Sequence, residues 1–77
     1  MWGPSRMDIT ILRRHLAQAE RHAAQGRLHT EHQEARIARM DRDGHDTSEE
    51  RKVLAALRTT QTLHEQDVDR LLKELGV

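Results

Sequence analysis

Seventy-seven residues allow one small domain, and at that size a single core is marginal without disulfides, a metal ion or association with another chain. The chain has no cysteine, which excludes disulfides. Thirteen Lys and Arg balance thirteen Asp and Glu, so the net basic charge that holds a protein to nucleic acid through phosphate contacts is missing and argues against such a partner. With 35% hydrophobic residues, 34% charged residues and a single aromatic, Trp2, the composition suits long helices that each bury one stripe.

Met1-Trp2-Gly3-Pro4 reads as an irregular arm over residues 1–5, in which Trp2 has no periodic context. Ser5, with Asp8 three residues later, has the pattern of a helix N-cap and capping acid. Helix 1 is expected over residues 6–43, with apolar or small residues alternately three and four apart: Ile9, Leu12, Leu16, Ala19, Ala23, Gly26, then Ile37 and Met40. These are the a and d positions of a heptad. Asp43-Gly44-His45-Asp46-Thr47 supplies a stop and a restart: Gly44 suits the left-handed position after a helix, and Thr47 with Glu50 has the spacing of a capping box. The turn is expected at 44–47 and helix 2 at 48–75, with Leu54, Leu57, Gln61, His64, Val68, Leu71 and Leu75 on its seam and Gly76 at its end. No apolar run approaches a membrane span or the core of a signal peptide, so the expected location is the cytoplasm. Met7 is a second candidate start for the chain.

So short a turn between two long helices makes them antiparallel neighbours. If the numbers of facing residues sum to about 91, Ile37 faces Leu54, Thr30 faces Gln61, Gly26 faces His64, Ala23 faces Val68 and Ala19 faces Leu71. Large residues of helix 2 then meet small ones of helix 1, as close interdigitation requires. At about 1.5 Å per residue helix 1 is about 55 Å long and helix 2 about 42 Å, so the start of helix 1 overhangs its partner. Met7, Ile9, Ile11 and Leu12 lie there, next to Leu16. The expected fold is all-α: an antiparallel two-helix hairpin that pairs into a homodimeric four-helix bundle, with these five residues in the interface. An unidentified protein partner is the alternative occupant.

Six histidines stand out. His15, His22 and His29 recur every seven residues at the g position of helix 1, and His64 takes a d position on helix 2. In the register above, His22, His29 and His64 surround a polar layer of Gly26, Thr30, Gln61 and His64. Facing imidazoles in a bundle are candidate ligands for zinc or another transition metal, with no other cofactor expected. The paired Glu and Glu-x-x-His pattern of di-iron bundles is absent. The other readings are that the layer sets register and oligomeric state, with the g-position histidines bonding to Asp67, Gln61 or Glu74, and that it makes the interface pH-responsive.

Catalysis has little to draw on, because Ser5 and Ser48 both sit at helix starts, where capping explains them, and neither a phosphate-binding glycine loop nor zinc-finger spacing is present. A non-enzymatic interaction or structural module is therefore expected. Arg13, Arg14, Arg21 and Arg27 form a basic strip on the e and f faces of helix 1, either a solvated face paired with Glu20, Glu31 and Glu34 or an RNA-binding surface. The expected architecture resembles that of the plasmid-encoded Rop family, dimeric hairpins that bind RNA loops through an exposed helix face, and the likeness is one of shape. Nearly the whole chain after Met7, through His15-Leu16-Ala17-x-Ala19-Glu20-x-His22, Gly26, His29, Asp43-Gly44-His45-Asp46-Thr47, Leu63-His64 and Asp69-Arg70-Leu71-Leu72-x-Glu74-Leu75, resembles a group of small uncharacterised proteins from alphaproteobacteria such as rhizobia. That resemblance implies no activity, ligand or site residue.

Overall fold

A computed structural model describes residues 6–76, with side chains from Asp8 onward. The arm, the Ser5 cap, Trp2 and the Met7 side chain lie outside the described residues. Two helices, α1 (Arg6–Arg42) and α2 (Ser48–Leu75), pack against each other as a hairpin. Neither is long and apolar enough to cross a membrane.

Helix α1 ends at Arg42, one residue before the expected boundary. Gly44 adopts φ 79°, where a side chain would be strained and glycine is not. Its N–H donates to the Asp41 carbonyl at 3.1 Å, and the His45 N–H donates to the Met40 carbonyl at 3.0 Å. These two bonds close a Schellman motif and satisfy carbonyls that the end of the helix leaves open. Gly76 ends α2 in the same left-handed conformation, at φ 77°.

The start of α2 departs from the expected capping box. Thr47 occupies the N-cap position, but its side chain bonds to no helix N–H. The Thr47 residue is buried instead, and its hydroxyl donates to Asp41 Oδ1 at 2.9 Å while accepting from Arg51 Nε at 3.0 Å. Arg51 also reaches Asp41 Oδ2 at 2.6 Å, which closes a three-residue clamp across the turn. A threonine drawn inward to tie two helices cannot also turn back to cap one of them. Asp46 takes that duty, accepting from the Ser48 N–H at 2.9 Å and the Ser48 hydroxyl at 2.6 Å. Glu50 contributes through its backbone, whose carbonyl accepts from Gln33 Nε2 at 2.9 Å.

Between the turn and the open end, the buried apolar side chains are Ile37, Leu54, Ala23, Ala19 and Leu71. All are a or d residues, and two are alanines, so the helices meet closely along a narrow line. Helix α1 has 37 residues against 28 in α2, and its first turns extend beyond Leu75. There Ile9 and Leu12 stay partly exposed and Ile11 is 40% exposed.

The clamp makes Thr47→Val a sensitive substitution, because it keeps the shape and leaves Asp41 and Arg51 without their shared hydroxyl. A loss of about 1–2 kcal/mol in urea unfolding is expected. The Ser48 hydroxyl, then its N–H, hold the Asp46 carboxyl below its ordinary value of 3.8. A carboxyl lowered on folding stabilises the protein above its unfolded value, and that contribution disappears as pH falls through the folded one. Unfolding midpoints followed from neutral to strongly acidic pH should show a downward step that Asp46→Asn, which keeps the cap without titrating, removes.

Candidate functional site: the histidine-lined side of the hairpin

The centre of the hairpin is built around Gly26. A β-carbon placed there would collide with Gln61 Oε1 and lie 3.1 Å from Gln61 Cδ and 3.5 Å from His64 Cδ2. Gln61 is buried, and its Nε2 donates to the Ala23 carbonyl on the facing helix at 2.8 Å. Its Oε1 is buried without a hydrogen-bond partner among the described residues, pressed against the glycine. Thr30 Oγ1 donates back to the Gly26 carbonyl at 2.9 Å.

The register therefore differs in detail from the expected one. Gly26 was to face His64 and Thr30 was to face Gln61; instead Gln61 fills the space over Gly26, and His64 sits on its flank. A seam residue packs into a hole bounded by several residues opposite, so Gly26 offers one hole to both side chains. The amide enters it and bonds the Ala23 carbonyl at the far side. His64 is left at the edge, partly exposed, with its ring 5.7 Å from that of His22 and tilted by 53°.

Shallow grooves run along both sides of the seam, and their linings differ. One side carries His22, His29, His64 and Gln25 with Leu57 and Thr60, continuing past His22 to His15, Gln18, Asp67 and Arg70. The other carries Arg27, Glu31, Glu34 and Arg58, continuing to Glu20, Glu65 and Asp69. On that charged side Arg58 reaches Glu34 across the seam at 3.8 Å. Arg27 lies between the acidic residues, while Arg13, Arg14 and Arg21 are exposed along α1. On the histidine side, Asp67 and Glu74 are both engaged by Arg70, at 2.6 and 2.9 Å, and not by the histidines. Asp67 first, then Glu74, raise the pKa of that guanidinium above its ordinary value.

Heptad spacing brought His22, His29 and His64 to one groove, but it could not foresee which two would touch. Two imidazoles sharing a tetrahedral zinc at about 2.0–2.1 Å would have ring centres roughly 5 Å apart, close to the His22–His64 separation. Among the described residues no group of three His, Cys, Asp or Glu converges on one point. A zinc site takes three or four protein ligands, of which this pair could provide two at most.

The Gly26–Gln61 contact yields opposed expectations for two substitutions. Gly26→Leu must part the helices or expel Gln61 and should cost about 1–3 kcal/mol by overpacking. Gln61→Met keeps the side chain's length and removes the unpartnered oxygen, so it should raise stability by about 1 kcal/mol. Urea unfolding curves of the two variants check both signs. Compared with protein-family models, curated proteins and solved structures, the chain matches none.

Proposed function

We propose that the chain is a non-catalytic interaction module that works as an oligomer, a homodimeric four-helix bundle formed from two hairpins. The observation that carries this reading is the thinness of the core. The accessible surface is 6132 Å², whereas a compact monomer of 9.0 kDa exposes about 4,900 Å². The surplus of roughly 1,200 Å² exceeds the roughly 800 Å² that each partner buries in a dimer of ordinary size. Leu63, Val53, Leu28 and Ile11 are 40–60% exposed, and the overhang of α1 leaves Ile9 and Leu12 without a covering helix. Burial of the overhang, with Leu16 and Met7, is part of the proposal.

Sedimentation equilibrium at micromolar concentration should give twice the chain mass of 9.0 kDa, and the thermal midpoint should rise with concentration, as mass action requires of a dimer that unfolds to monomers. Leu12→Asp should lower both. A folded monomer with a concentration-independent midpoint would sink the reading.

A second reading has the His22–His64 spacing behind it: the pair, with His29 in the same groove, binds zinc or another transition metal. Metal analysis of untagged protein checks it, with His64→Ala expected to abolish any bound ion.

A further inference from the structure

The two sides of the hairpin are not equivalent surfaces. The charged side satisfies itself, with cations and anions interleaved along the groove and an ion pair across it. The histidine side, made of the c and g positions of both helices, carries no formally charged residue between Gln18 and His32 on α1 or between Val53 and His64 on α2. Leu63, 60% exposed, is at its centre, and Val53, 50% exposed, is toward the turn. Charge on this side is confined to the ends. Near the turn are Arg36 and Arg39, which form no ion pair among the described residues, and Glu49, which Lys52 engages at 3.1 Å. Near the open end are Asp67 and Glu74, which share the single cation Arg70.

We propose that the histidine side is where a second copy of this chain docks, face to face, with the turn of each hairpin over the open end of the other. The proposal rests on the self-association reading and adds to it the face and the direction. The occupant follows from charge complementarity: a two-fold axis across the middle of the face, near Thr60 and Leu63, brings Arg36 and Arg39 of each copy toward Asp67 and Glu74 of the other. The reverse direction, turn over turn, sets Arg36 and Arg39 against the same arginines of the other copy, with only Glu49, already engaged by Lys52, to offset them, and sets Asp67 and Glu74 against their own copies. It would also leave the uncharged middle with no reason to be flanked by opposite signs. Opposed docking lays uncharged residues on uncharged residues, with Leu63, Thr60, Gln25 and His22 in the covered middle, and it meets the general rule that a two-fold interface must be self-complementary.

The chain has no cysteine, so single cysteines report proximity without background. Thr60→Cys and Leu63→Cys, treated with an oxidant or a short bis-maleimide, should form covalent dimers rapidly, whereas Thr62→Cys on the charged side should not. Direction is tested by charge exchange. The double variant Arg36→Glu/Arg39→Glu should associate on the order of tenfold more weakly, as should Asp67→Arg/Glu74→Arg, while an equimolar mixture of the two should recover wild-type affinity, because both end contacts are then oppositely charged. Dimers that crosslink through Thr62→Cys and not through Leu63→Cys would overturn the face and leave self-association standing. Reversal variants that associate as tightly as the wild type, or an equimolar mixture that associates more tightly than the wild type, would overturn the direction. A folded monomer by sedimentation would overturn both this proposal and the reading beneath it.

Discussion

The hairpin depends on how near two helices can come where one of them lacks a side chain. At Gly26 the amide of Gln61 lies across the bare backbone and reaches the Ala23 carbonyl. Ala19 and Ala23 continue the same thin strip of α1 toward the open end, beneath Leu71. Close approach increases dispersion contact, but it also limits how much apolar surface the seam can remove from water. A core built from two alanines and three larger aliphatic residues gives a well-defined approach and little total burial. The form of the hairpin and the association proposed for it thus share one cause.

Close approach also separates the surroundings of the seam. Side chains at the e and b positions emerge on one side and meet in cross-helix charge pairs; those at g and c emerge on the other, uncharged through the middle and charged only toward the ends. Buried polar groups commonly restrict a helical assembly to one register, at some cost in stability. Gln61 has that character here, since its Nε2 is satisfied and its Oε1 is not. An aliphatic residue at that position would bury more comfortably and would accept more than one alignment.

Much of the architecture is legible in the sequence because its determinants are local or periodic. Gly44 announces the end of α1, since the left-handed residue of a Schellman turn is most often glycine, and the alternation of threes and fours marks which stripe of each helix turns inward. The spacing of Thr47 to Glu50 is a local pattern, whereas the partners that Thr47 takes, Asp41 and Arg51, come from the two helices it joins. Gln61 and His64 both lie beside Gly26, but the amide takes the space expected for the imidazole. Periodicity resolves position to about a turn, and the choice between two side chains competing for one space depends on reach and on a carbonyl that no pattern displays. The engagement of Asp67 and Glu74 by Arg70 follows the ordinary three- and four-residue helical spacing and was readable.

Four polar ties between the helices lie in one half of the molecule: the Thr47 clamp, the Gln33 bond to Glu50, the Arg58–Glu34 pair and the Gln61 bond to Ala23 all fall between the turn and Ala23. Mechanically the hairpin resembles tweezers, hinged firmly at the turn and held at the tips by Leu71 and its neighbours. Contacts near the hinge are also close in sequence and cost little chain entropy to form, so folding can zip outward from the turn and opening can begin at the tips. Amide exchange would then be graded along each helix, slowest beside the hinge. In an opposed pair, the stiff end of each chain would lie over the compliant end of the other, and the assembly would have no soft end at all.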